Sequence, residues 1–148
     1  MEIKNKQGQV IYESNEKQPV LNDLDLQDAD FEGATLQGVS FSGANLARAN
    51  FHGADLYWAV FFETNLTGAN FEWAHLQGAD LTGADLTNAD LRNAYLGRDN
   101  VGGSTILQGA KLTEAKLSGA NFEGAEYNSG TIFPEGFDPQ RAKMILVK

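Results

Sequence analysis

Few side chains in this sequence could do chemistry. His52 and His75 are its only imidazoles, and Asp23, Asp25, Asp28 and Asp30 form its densest run of carboxylates. Together such groups could hold a divalent cation or move a proton. A calcium loop, however, needs D-x-D-x-D-G spacing, which is absent, and a zinc site needs ligands that converge on one point. The 148 residues include no cysteine, which excludes disulfides, thiolate metal sites and a cysteine nucleophile. Gly102-Gly103 could cradle a phosphate, but no GxxxxGKS or GxxxxGKT run follows it. Asn65-Leu66-Thr67 has the form of a glycosylation sequon only because its residue types recur throughout the chain. Whether any of these groups meet depends on the elements that carry them.

Those elements have a period of five. From Leu21 to Leu96 every fifth residue is Leu or Phe, sixteen positions in succession, and two places earlier the fourteen positions from Ala29 to Ala94 hold Ala except at Val39 and Thr64. Asp or Asn usually precedes the large residue, as at Asp30, Asn45, Asn50, Asp85 and Asp90, and Gly, Thr, Gln or Glu fill the other two slots. A helix would spread this pattern over all its faces, and a flat strand would alternate it between two. A chain that bends once per five residues keeps each large residue and its Ala inside, as a solenoid. Phe31, Phe41, Phe51, Phe61 and Phe71 alternate with Leu36, Leu46, Leu56, Leu66 and Leu76, a superperiod of ten. Four sides per turn make the columns uniform, with Phe31, Phe51 and Phe71 on one side and Phe41 and Phe61 opposite.

The A-(D/N)-L-x-x pattern resembles the pentapeptide repeat family over residues 21–132. The resemblance implies an all-β fold, a right-handed quadrilateral parallel β-helix, and it alone supplies the handedness. About five to six coils at about 4.8 Å spacing are expected, a rod of about 25–30 Å before its caps. Three segments follow: an N-terminal cap at 1–18, the repeat body at 19–132 and a C-terminal cap at 133–148. In the first, strand-like residues on either side of "KQGQ" predict a hairpin within residues 3–12. In the last, Asp138-Pro139 before "QRAKMIL" combines an N-cap acceptor with Pro at the first helical position and predicts a short helix across the final coil, or a dimer contact through it. The ending "FPEGFDPQRAK" resembles that of small cyanobacterial members. Between Leu96 and Leu107 the register slips to eleven residues rather than ten, so residues 97–105 are read as an outward loop absorbing one extra residue, with Gly102-Gly103 giving it backbone freedom.

The interior so described is Leu, Phe and Ala, with every polar group outside, so no catalytic residue, metal site or cofactor is expected and the chain is read as no enzyme. His52 and His75 fall on different sides. The formal net charge of −9 opposes direct binding to nucleic acid or anionic lipid and leaves an unidentified protein as the expected partner, for a monomer or weak homodimer. A polar opening and the lack of a long apolar run predict a cytoplasmic, membrane-free protein. Some family members modulate DNA gyrase by imitating DNA, so a DNA-mimic topoisomerase modulator is the alternative function. The competing reading of the repeated Asp and Asn is turn chemistry, each side chain bonding a nearby amide at a bend. The candidate partner surface consists of large residues at outward slots: Tyr57, Trp58, Phe62, Trp73, His75 and Tyr95, with Val60 beside them. Tyr57, Trp58, His75 and Tyr95 are expected on the side bearing Leu56, with Trp73 and Phe62 at its two bordering corners.

Overall fold

Parallel β-bridges join residues twenty apart: Asp25 to Asn45, Asp30 to Asn50, Thr35 to Asp55 and Ser40 to Val60, and the same step repeats upward through His75 and Tyr95. Five residues per side and twenty per turn give four sides. The structure, a computed structural model that describes residues 1–17 and 19–148, is therefore a quadrilateral β-helix, mostly β and without helices in its described residues. Its sides are named below after their first bridged residues, Asp25, Asp30, Thr35 and Ser40.

Each repeat builds one side and one corner. The bridged residue bonds the coils above and below. The large residue that follows it points inward, and the next two residues turn the corner, closed by a bond such as Ala44 N–H to Phe41 O at 3.0 Å. The second corner residue adopts left-handed backbone, as at Gly53 (φ 63°) and Gly83 (φ 67°), which explains the frequency of Gly in that slot. Bridged Asp and Asn side chains accept the N–H two residues on: Asn50 from His52 at 3.2 Å, Asp80 from Thr82 at 2.9 Å and Asp90 from Arg92 at 3.1 Å. Turn chemistry is thus what these residues do.

All sixteen Leu and Phe positions from 21 to 96 are at most 3% exposed. Phe51 stacks on Phe31 and on Phe71 with centroids 4.9 Å apart in each case, and Phe41 stacks on Phe61 at 5.1 Å. The two columns meet edge to face in the centre, at 5.6 to 5.9 Å. Where Thr stands in an Ala slot its hydroxyl bonds a turn carbonyl of the coil below: Thr64 Oγ1 donates to Phe41 O at 2.9 Å and Thr105 Oγ1 to Leu76 O at 2.8 Å.

The N-terminal lid is the expected hairpin. Strands β1 (Glu2–Asn5) and β2 (Val10–Glu13) pair antiparallel, and β1 lies antiparallel beneath β3 (Ala29–Asp30) of the first coil. Ile3, 2% exposed, closes that end of the core.

At the other end the expected helix is absent. Asp138 does cap a turn, its Oδ1 accepting Gln140 N–H at 2.9 Å, but the turn ends at once. Lys143 is left-handed (φ 56°) and donates to Gln140 O at 2.9 Å while Met144 N–H reaches Pro139 O at 3.0 Å, the bond pair that terminates helices. Start and stop signals lie so close that one turn remains. The chain then re-enters the sheet, with β4 (Glu126–Tyr127) and β5 (Ile145–Leu146) parallel, while Phe133, Phe137 and Met144 cover the last coil.

The loop after Leu96 also differs from expectation. Asp80, Asp85, Asp90 and Tyr95 bridge to Ile106, Lys111, Lys116 and Asn121, each 26 residues on instead of 20. Six residues have left the coil, not one. Arg98 still makes the regular corner bond, to Glu123 O at 3.1 Å, and Thr105 already fills an Ala slot, so the insertion is residues 99–104. The eleven residues from Leu96 to Leu107 span one side rather than two.

Candidate functional site

Among the described residues, the Thr35 side carries the stacked aromatic column on the outside of the body. Bridged positions there run Thr35, Asp55, His75, Tyr95 and Asn121, and Tyr57 leaves the corner after Leu56 to lie along the same side. His75 stacks between Tyr57 and Tyr95, at 5.9 and 4.6 Å, with interplanar angles of 17° and 8°. Stacking in successive coils follows from the bridge geometry, which holds side chains of one column a strand spacing apart.

Trp73 and Trp58 border this side, one at the corner that leads into it and one at the corner that leaves it. Both sit in the left-handed corner slot, which Gly fills at about half of the corners and residues such as Arg48, Glu63 and Asn88 at others, with φ of 63° and 57°, and remain 47% and 51% exposed. Left-handed backbone is costly for bulky residues.

Trp58 is fixed by the insertion. Its indole lies over Gly78, where a Cβ would collide with it, and its Nε1–H donates to Asp99 Oδ2 at 2.6 Å. Asp99 also organises its own loop, its Oδ1 accepting Val101 N–H at 2.9 Å and Gly103 N–H at 2.6 Å. Desolvation, the largest single influence on this carboxyl, raises its pKa; the amides of Gly103, Val101 and Gly102 and the Trp58 indole together overcome it and hold Asp99 below its ordinary value. Between Tyr57, Trp58 and residues 99–101 opens a cleft of about 230 Å³. Sequence reasoning missed Asp99, because nothing local ties it to a tryptophan 41 residues earlier.

Phe62 stands elsewhere. Because Tyr57 and Trp58 themselves form the corner, Val60 occupies the next side and Phe62 the corner beyond, diagonally across the rod from the Trp73 corner. Tyr57, His75 and Tyr95 thus share the Thr35 side, Trp73 and Trp58 border it, and Phe62 does not.

The remaining polar groups serve the frame. Asn45 Nδ2 donates to Asp25 Oδ1 at 3.1 Å and Asn65 Nδ2 to Asn45 Oδ1 at 3.0 Å, an amide ladder repeated by Asn50 on Asp30 at 3.0 Å. Asp28 is paired with Arg48 at 2.8 Å, and hydrogen bonding to that guanidinium holds its carboxyl below the usual range. His52 approaches Glu72 at 3.8 Å at the corner that carries Trp73 and leads into the Thr35 side, while His75 lies on that side itself. Among the described residues no group of three or more His, Asp or Glu is placed to hold a metal ion. The bridged columns interrupt their negative charge: Asp85 stands between Asn65 and Lys111, and Asp90 between Asn70 and Lys116, so none of the four stacks Asp on Asp in neighbouring coils.

Comparison with known proteins agrees with this geometry. The family model described as Pentapeptide repeats matches in eight copies over residues 25–61, 63–98 and 105–126, leaving unmatched the same residues 99–104 that leave the coil. Search of curated proteins returns no significant match. A crystal structure of a pentapeptide repeat protein from the Arabidopsis thaliana thylakoid lumen is 34% identical, with 86% of this chain and 79% of that one covered and a TM-score of 0.54. Rfr23, a pentapeptide repeat protein of the cyanobacterium Cyanothece 51142, is 30% identical over 68% of this chain and 64% of its own, with a TM-score of 0.43. A trypsin-treated form of QnrB1, a plasmid-mediated fluoroquinolone resistance protein, shares the fold at 17% identity and a TM-score of 0.54, over 80% of this chain and 67% of that one. The five-residue period, the twenty-residue bridges and the match over more than half of the sequence have one meaning: the chain belongs to the pentapeptide repeat family.

Proposed function

We propose that this protein is a non-catalytic interaction module that binds a protein partner through the aromatic Thr35 side, between the Trp73 corner and the cleft at Trp58. The observation that carries this reading is the placement of two half-exposed tryptophans in left-handed corner slots where Gly would be more stable, both bordering one stacked aromatic column. Aromatic clusters of this kind supply the dominant contacts of protein interfaces. The whole excess of negative charge falls in residues 21–96, which hold 11 Asp and Glu against Arg48 and Arg92. A partner with basic residues around an apolar centre fits that surface. The DNA-mimic reading draws on a fold shared with QnrB1, and the separation of acidic residues along the bridged columns gives it less support than the aromatic side gives a protein contact.

The test is capture from a lysate of the source organism by the wild type and by the Trp58→Ala/Trp73→Gly double variant. Trp73→Gly alone should leave the protein as stable or more so, by up to about 1 kcal/mol, because it relieves a left-handed residue. The double variant should fold and lose the partner. Retention of the same partner with unchanged affinity would refute the assignment of this side.

A further inference from the structure

The backbone ladder follows one rule, and at the C-terminal end of the Asp30 side that rule is left incomplete. Lys116 N–H donates to Ala89 O at 2.9 Å, its carbonyl accepts Leu91 N–H at 2.8 Å, and Ser118 O accepts Asn93 N–H at 3.1 Å. One coil higher the equivalent groups are Ala115 C=O, Leu117 N–H and Gly119 N–H, and none has a backbone or side-chain partner among the described residues. Several other edges are covered, and the upper Thr35 edge, where Ala120 C=O and Phe122 N–H also lack partners among the described residues, is obstructed at its corner by Lys143 O, which accepts Gly124 N–H at 2.9 Å. β5 covers the Ser40 side, Ile132 adds a sixth level to the Asp25 side, and β1 covers the lower edge of the Asp30 side itself. Beside the open edge runs a groove of about 340 Å³, with Ala115, Leu117 and Ser118 on one wall and residues 134–137 on the other.

Charge and register say what would fill it. The column reads Asp30, Asn50, Asn70, Asp90, Lys116, so a further strand would set its bridged residue beside the exposed Lys116. The following residue would point inward, against Leu117 and Phe137. Two copies of this chain pairing edge to edge would bring Lys116 against Lys116, which disfavours self-association here. Glu135 on the far wall restricts an acid to the position beside Lys116.

We propose that this edge accepts an extended peptide as an added parallel strand, selecting an acidic residue beside Lys116 followed by an apolar residue in the groove. The acidic residue would donate its N–H to Ala115 O and accept Leu117 N–H, and the residue two further on would accept Gly119 N–H. Main-chain bonds give such strand addition its affinity and side-chain pockets its selectivity.

The experiment titrates ¹⁵N-labelled full-length protein with the blocked peptide Gly-Ala-Asp-Leu-Thr-Gly-Ala-Asp-Leu-Thr-Asn and with the same peptide carrying Lys for both Asp. Saturable shifts at the Leu117 and Gly119 amides, with slowed exchange of both, are expected for the first. The lysine peptide should bind about threefold to tenfold more weakly, and Lys116→Glu, an exposed change that leaves the fold intact, should reverse the preference. Trp58→Ala should bind the acidic peptide as the wild type does, which separates this edge from the aromatic side. Equal affinity for both peptides, shifts elsewhere, or no saturable binding would overturn the proposal. So would edge shifts that depend on protein concentration together with a dimer in sedimentation, which would assign the edge to a second copy.

Discussion

Phe51→Ala should be among the most damaging single changes in this protein. Phe51 is fully buried, stacked at 4.9 Å on Phe31 below and on Phe71 above, and touched edge-on by Phe41 and Phe61 at 5.9 and 5.7 Å. Removing the ring forfeits its transfer energy and leaves a cavity. The walls have little freedom to close it, because coil backbones are held apart by rungs such as Phe31 N–H to Asn50 O and Phe51 N–H to Asn70 O, both 2.7 Å. The cost belongs at the top of the usual range, about 4–5 kcal/mol. Phe51→Leu should cost only about 1–1.5 kcal/mol, since Leu91 fills the same column higher up. Phe31→Ala should fall between, because Phe31 ends the stack just above the hairpin. Urea unfolding followed by fluorescence of Trp58 and Trp73 measures all three. A loss below about 1 kcal/mol for Phe51→Ala, or a ranking with Phe31 above Phe51, would refute the column geometry.

Two further outcomes follow from the ladders and the insertion. Asn45→Asp sets a carboxylate beside Asp25 in place of an amide donor and should cost about 1–2 kcal/mol at neutral pH. Like-charge repulsion raises the carboxyl pKa in the folded state above the unfolded value, so the penalty should be absent below about pH 4 and complete above about pH 6, whereas the cost of Asn45→Ala should vary far less with pH. Deleting residues 99–104 and joining Arg98 to Thr105 should leave cooperative unfolding and shift Tm by only a few degrees, since no bridge is lost. Collapse of that variant would mean that the loop belongs to the coil.

Much of the frame is legible in the sequence because each of its determinants is local and repeated. The alternation of Phe and Leu every ten residues states the number of sides, and Ala two places before them states which positions the coil buries. Errors arise where a local signal has two physical outcomes. Eleven residues from Leu96 to Leu107 are compatible with two sides plus one residue or one side plus six; the energy of the 26-residue bridges decides, and it is not local. Asp138-Pro139 announces a helix truthfully, but the left-handed Lys143 that stops it after one turn carries no mark in its residue type. At the candidate site the aromatic column is legible from register, whereas Phe62 lies a side further from the Trp73 corner than spacing suggests, because Tyr57 and Trp58 take up a corner of their own. The Trp58–Asp99 bond depends on how a loop folds back, which spacing does not encode.

The insertion of residues 99–104 has a consequence for how such a chain can change length. It leaves the coil at a corner, and the columns above it continue in phase, Asp80 below Ile106 and Tyr95 below Asn121. An insert at a corner is therefore invisible to everything downstream, whatever its size. Duplication of twenty residues within the coil is equally silent, adding one storey and returning each side to its place. Duplication of a single pentapeptide kept within the coil is not. It would rotate all later coils by a quarter turn, setting Leu over Phe and carrying the aromatic column round to a new direction. Addition of one unit within the coil is therefore the disruptive change, and lengths among relatives should differ by whole turns or by excursions at corners.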